Sequence, residues 1–204
     1  MKSIVAVSLL LFLSACAAGP VYVAKNESES FKTAYDDPQL QKLHGQNEAL
    51  LKNIYSRFNK AQVNTPKQAI GMTFVQDQNN RKHPYFMIGI RPSEVYFNVN
   101  ATTPSQRFSQ VLNAYFPKYL NFIRKEDFEK NGVEGLDLAI YWPVRDYSQC
   151  NTYGGFIEYI HVYFTKNDVQ DILDGRRTFF DVAKSCEVIT SLNLEPAKSV
   201  KPVF

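Results

Sequence analysis

Residues 156–164 read Phe156-Ile157-Glu158-Tyr159-Ile160-His161-Val162-Tyr163-Phe164, and they decide the fold class. β-Branched and aromatic side chains dominate the run, and such residues fit a pleated, half-buried surface. At a period of two, Phe156, Glu158, Ile160, Val162 and Phe164 point one way, while Ile157, Tyr159, His161 and Tyr163 point the other. The pattern predicts a strand with one core face and one amphipathic face. Just upstream, Leu136, Leu138, Ile140 and Trp142 alternate with Asp137, Ala139 and Tyr141. That spacing predicts a partner strand, joined as a hairpin across the polar loop 146–155.

Working toward the N-terminus, Thr103 followed by Pro104 opens a helical run with an apolar face of Phe108, Val111, Leu112, Tyr115, Phe116, Tyr119, Leu120 and Ile123. Its expected end is Asn131-Gly132, and Pro117 should kink it or split it. Earlier still, Ile70, Met72 and Phe74 alternate with Gly71, Thr73 and Val75, and residues 85–90 and 94–99 are two more strand candidates broken by Arg91-Pro92-Ser93. Gln78-Asn79-Asn80-Arg81-Lys82 reads as a hairpin loop. Before these strands, Asp37 caps and Pro38 starts a first helix whose face is Leu40, Leu43, Leu50, Leu51, Ile54, Tyr55 and Phe58, weakened in the middle by Gly45.

Toward the C-terminus, Asn167-Asp168 caps a short helix through Val169, Ile172 and Leu173, with Gly175 just past its end. Phe179, Phe180, Val182 and Ala183 add a turn or two, and residues 187–194 make a last, edge-like strand before a polar tail. The sum is an α+β domain: an antiparallel sheet of about five strands with helices packed mainly on one face. The other face of such a sheet can stay partly open. Tyr159, His161 and Tyr163 are the residues expected there, as a possible binding face; packing under the N-terminal helix is the competing reading.

Composition excludes several classes. The chain is 45% hydrophobic and 14% aromatic, ample for a core, and its net charge of +3 is too balanced for the basic stripe of a nucleic-acid binder. It contains no G-x-S-x-G, no glycine-rich phosphate loop, no H-E-x-x-H and no C-x-x-C, so no catalytic residue, cofactor or metal site is assigned. His161 and Glu158 fall on opposite faces of one strand, which rules them out as paired ligands. His44 and His83 read as solvated, and Glu126-Asp127 as part of a mixed-charge surface. One thiol enzyme is conceivable, with Cys150 as nucleophile, His161 as base and Asp146 or Asp168 as orienter.

The first residues carry a different signal. Lys2, then an apolar run from Ile4 to Leu13, then Ser14-Ala15-Cys16 make a secretory signal too short to span a bilayer. Leu13-Ser14-Ala15-Cys16 resembles the lipobox of bacterial lipoproteins. The resemblance covers only the first sixteen residues or so. It implies cleavage before Cys16, a diacylglycerol on the Cys16 thiol and often a further acyl chain, such as palmitate, on its amine. Ala17 stands where lipoproteins kept at an inner membrane carry Asp, which implies the outer membrane, with the domain more naturally on its periplasmic side.

The chain then divides into a signal peptide (1–15), a lipidated Cys16 with a flexible tether (16–37), and one globular domain (38–204). In an exported chain the two remaining cysteines, Cys150 and Cys186, read first as a disulfide. That bridge would contribute roughly 3–4 kcal/mol in the chain-entropy model; two thiols, buried or functional, stay open as alternatives. The functional expectation is a membrane-anchored envelope component that binds an envelope protein or peptidoglycan without catalysis. If the lipobox reading holds, mass spectrometry of the membrane-bound protein will find Cys16 as an acylated N-terminus, and Cys16→Ser will leave an unacylated chain. An N-terminal peptide that still carries residues 1–15 in the wild-type protein would sink it.

Overall fold

The computed structural model describes residues 31–32, 34–129, 132–146 and 155–202. Among them, α1 (Pro38–Lys60) is followed by β1 (Ile70–Gln76), β2 (Lys82–Ile90), β3 (Phe97–Asn98), α2 (Pro104–Leu120), β4 (Gly135–Arg145), β5 (Phe156–Thr165), α3 (Lys166–Leu173), α4 (Phe179–Ala183), β6 (Glu187–Ser191) and β7 (Lys198–Val200). No helix among the described residues is long and apolar enough to cross a membrane.

The expected hairpins form. β1 pairs antiparallel with β2, and β4 with β5, where Leu136 faces Phe164 and Trp142 faces Glu158 across the ladder. The sheet as a whole corrects the expectation of an antiparallel sheet of about five strands. It has seven strands in the order β1-β2-β4-β5-β6-β7, with β3 also on β4, and the pairing of β2 with β4 is parallel. The reason is α2: it carries the chain back, so that β4 enters beside β2 in the same direction, which a tight turn cannot do. β3 then continues the line of β2 along the same edge of β4, pairing Phe97 with Val144. Of the strand expected at 94–99 only Phe97–Asn98 forms. β6 is not an edge either, because β7 pairs with it out of the polar tail.

Helix boundaries follow capping chemistry. The Asp37 carboxylate accepts from the Gln39 N–H at 2.9 Å, as expected, and α1 runs unbroken through Gly45. α2 has a full Thr103/Gln106 capping box and continues past Pro117 for three residues. The Asn113 carbonyl that Pro117 leaves without an N–H belongs to an exposed residue, so water can serve it. The expected long second helix therefore stops at Leu120, and only a 3-10 turn, Lys125–Phe128, follows. The cap of α3 is Thr165, the last residue of β5, with Asp168 closing the box; the cap expected at Asn167-Asp168 sits too late.

The core lies on the face formed by Leu136, Leu138, Ile140, Trp142, Ile160, Val162 and Phe164. Phe128 meets Phe86 and Phe179 meets Phe164 on this side, while Phe58 of α1 packs against Tyr119 of α2. Glu158 belongs to the same face and is buried without contact to water. Its carboxylate accepts from Arg107 Nε (2.8 Å) and Nη2 (2.6 Å), Trp142 Nε1 (3.0 Å) and the Asn193 N–H (2.8 Å). Arg107 also donates to the Thr102 carbonyl at 2.6 Å. Each charge is thus satisfied, but removing one partner strands the other. Arg107→Met should cost about 3–5 kcal/mol in urea denaturation, whereas Arg107→Met with Glu158→Leu should cost clearly less than the sum of the single changes.

Candidate functional site

Three histidines and one thiol are the reactive groups that the described residues offer, and the structure assigns each a setting. His161 lies on the second face of the sheet, beside Tyr159 and Tyr163 as the alternation predicts. Cross-strand register completes the cluster. Tyr141 stands opposite Tyr159, Ala139 opposite His161, and Asp137 opposite Tyr163. Gly89 and Ala139, side by side in β2 and β4, leave the space over which the larger rings lie. A Cβ on Gly89 would come within 3.3 Å of the Tyr141 ring and 2.9 Å of Ala69.

His161 is held at both nitrogens. Nδ1 is 2.9 Å from Asp137 Oδ1, and Nε2 is 2.9 Å from the Tyr141 hydroxyl. An ionised carboxylate only accepts, so Nδ1 carries the proton and donates to Asp137. Nε2, when it carries no hydrogen, accepts from the Tyr141 hydroxyl. Asp137, at 3% exposure, is almost out of water, while the His161 side chain keeps 17%. Tyr159 meets the imidazole edge-on at 5.3 Å and Tyr163 stacks beside it at 6.1 Å.

The order carboxylate, imidazole, hydroxyl has the form of an oriented base with a hydroxyl at its end. Its chemistry is limited by the phenol. Burial, with the Asp137 charge adding to it, pushes Tyr141 up to about 12, so the hydroxyl stays protonated. Tyr163 is driven up for the same two reasons, burial first. What the cluster offers at neutral pH is a rigid array of ring faces and phenol groups.

The orienter of His161 is Asp137, which was not among the expected candidates. The His161 Nδ1 partner is Asp137, and Asp168 is bound up in the α3 cap. Alternation did put Asp137 on the second face; what the sequence lacked was the register that sets it diagonal to His161. Cys150 lies outside the described residues. Cys186 is a half-buried thiol pushed up to about 12 by burial and by Asp168, which makes it a poor thiolate.

His44 corrects its solvated reading, whereas His83 stays partly exposed and corrects only its placement in a loop. His44 is buried in α1, with Nδ1 3.0 Å from the Tyr35 hydroxyl. His83 is in β2, with Nδ1 2.6 Å from Glu134 and Nε2 3.4 Å from Asp77. Asp127, expected on a mixed-charge surface, is buried: it is paired with Arg57 and accepts from the Arg124 N–H at 2.8 Å. No group of three acidic, His or Cys side chains among the described residues is arranged to hold a metal ion.

Three cavities sit elsewhere. One of about 390 Å³ lies between Phe128, Val133 and Lys166, one of about 410 Å³ between Phe108 of α2 and Leu192 and Val200 beside β6 and β7, and an open one of about 530 Å³ along Thr102, Gln106 and Gln110. None is lined by His161 or its tyrosines. Comparison with protein-family models, with curated proteins and with solved structures finds no match for the chain.

Hydrogen bonding to Glu134 and then to Asp77 holds the imidazolium form of His83 above the ordinary histidine range. A raised pKa means that this contribution to stability is complete below the unfolded value of 6.5 and fades as pH climbs through the folded one. An NMR titration should therefore place the His83 midpoint above 6.5, and Glu134→Gln should lower it. A midpoint unmoved by that change would contradict the assignment.

Proposed function

We propose that this chain is a lipid-anchored protein of the outer membrane, facing the periplasm, that works by binding an envelope protein through the second face of its sheet. The anchor rests on Leu13-Ser14-Ala15-Cys16. Two or more acyl chains are enough for stable attachment without a membrane-spanning helix.

The observation that carries the binding reading is the state of His161. Nδ1 is bonded to Asp137 and Nε2 to the Tyr141 hydroxyl, so the group that the ring's acceptor nitrogen faces is a phenol and not a thiol. That argues against the alternative, a periplasmic Cys-His hydrolase built on Cys150. The same face presents Tyr159, His161 and Tyr163 in a row that ends at Ile157, itself 53% exposed. Tyrosine rings give large contact area at small entropic cost and are enriched in protein interfaces. A protein therefore fits the face better than peptidoglycan does.

A photo-crosslinking amino acid placed at Tyr159 in the full chain, activated in native membranes, tests this. One stoichiometric envelope protein, captured from Tyr159 and not from a control position at exposed Glu48, is the expected result. Capture of peptidoglycan alone, or equal capture from both positions, would overturn the protein-binding reading. A non-reducing peptide map of the same material bears on the alternative: a Cys150 to Cys186 bridge removes its nucleophile, and a reactive Cys150 thiol revives it.

A further inference from the structure

β1 is the first strand of the sheet, and its outer edge has no strand beside it among the described residues. Bare edges are templates for unwanted pairing, and proteins cover them. Here the cover includes Phe31, Lys32 and Tyr35, just ahead of α1. Phe31 packs edge-on against Tyr55 of α1 at 5.3 Å, and the Lys32 ammonium lies 4.9 Å over the Tyr35 ring. The Tyr35 hydroxyl reaches the edge itself. It accepts from the Met72 N–H at 2.9 Å and lies 3.0 Å from His44 Nδ1. Gly71 makes the approach feasible, since a Cβ there would sit 2.4 Å from that oxygen.

The protons can be counted. A phenol has one hydrogen to give and lone pairs to accept with. Met72 N–H takes one lone pair, and the phenol hydrogen is used when it is given to an unprotonated His44 Nδ1. Neutral His44 accordingly carries its hydrogen on Nε2. That atom is buried and has no hydrogen-bond partner among the described residues. An unmet donor in a buried ring carries a standing cost.

We propose that Tyr35 and His44 form a proton-sensitive clasp: neutral His44 fastens the segment around Tyr35 to the open edge of β1, and protonation of His44 releases it. Protonation puts a hydrogen on Nδ1, facing the phenol hydrogen. The phenol can turn away only by giving up its acceptor. The ring would also become a buried cation. On α1 it faces Glu48 and Lys52, which pair with each other at 2.6 Å and largely cancel. From the segment it faces Tyr35, with Lys32 on the far side of that ring, and β1 carries no titratable side chain.

Burial lowers His44 below its ordinary 6.5, Lys52 adding to this and Glu48 opposing it. A histidine depressed in the folded state stabilises the fold above the unfolded value, and that contribution is lost as pH falls from there toward the folded value. The clasp is thus closed at neutral pH and opens in acid. It stands on residues 31–72 and is independent of what the second face binds.

The test is amide hydrogen exchange of the full chain, corrected for intrinsic rates. Protection of the Met72 amide should fall several-fold, up to about tenfold, between about pH 7.5 and about pH 5.5, while the Ile140 amide at the centre of β4 holds. His44→Gln, which keeps an acceptor and cannot titrate, should make the Met72 profile flat. Equal protection of Met72 at both pH values in the wild-type protein overturns the clasp. So does a parallel loss at Ile140, which would mean general acid unfolding, or an unchanged pH response in His44→Gln. Should that variant fail to fold, the wild-type comparison decides alone.

Discussion

Parallel pairing of β2 with β4 is the constraint on which the remainder of the architecture depends. Parallel neighbours need a long return path, and α2 with the 3-10 turn after it supplies that path while laying Val111, Leu112, Phe116 and Leu120 over the core face. With β2 and β4 central, each is covered on both sides. β4 is buried at every position from Gly135 to Ile140, and β2 at most of its second half. The small residues Gly89, Gly135 and Ala139 follow from this crowding. A Cβ on Gly135 would lie 2.4 Å from both the Phe164 carbonyl oxygen and the Tyr85 ring, so the junction of β2, β4 and β5 is built around its absence.

Buried charge is the second feature of the design. Replacing water around an ion pair costs several kcal/mol per ion, and only complete hydrogen bonding offsets it. Glu158 achieves this with four donors, one of them the backbone of Asn193. Asn193 and Leu194 both adopt positive φ, 53° and 63°, and the Glu158 bond to Asn193 helps to hold that turn. Arg57 plays a similar part between α1 and the turn after α2, donating to the Phe122 carbonyl at 2.8 Å and pairing with Asp127. These networks give the core unique partners where apolar contacts alone would allow sliding.

The two faces of the sheet then have different chemistry. One is a continuous aliphatic and aromatic core. The other carries rings and phenols ordered by the Asp137, His161 and Tyr141 chain. A binding surface gains from such order, because groups already fixed lose little freedom on association. The proposed clasp lies apart from this face, at the β1 edge, in the segment just ahead of α1.

Local properties were legible in the sequence because they depend on neighbours a few residues away. Asp37 as a cap, the alternation in residues 156–164, the hairpins and the second-face position of Tyr159, His161 and Tyr163 are of this kind. Two-sided burial of β4 left a trace in its apolar run with Gly135 and Ala139, which resembles a central strand more than a half-open one. The parallel order, the seventh strand, the Asp137 contact to His161 and the burial of His44 and Asp127 were decided only by the tertiary structure. Each is a contact between segments far apart in the chain, and periodicity says which way a side chain points, not what will stand opposite it.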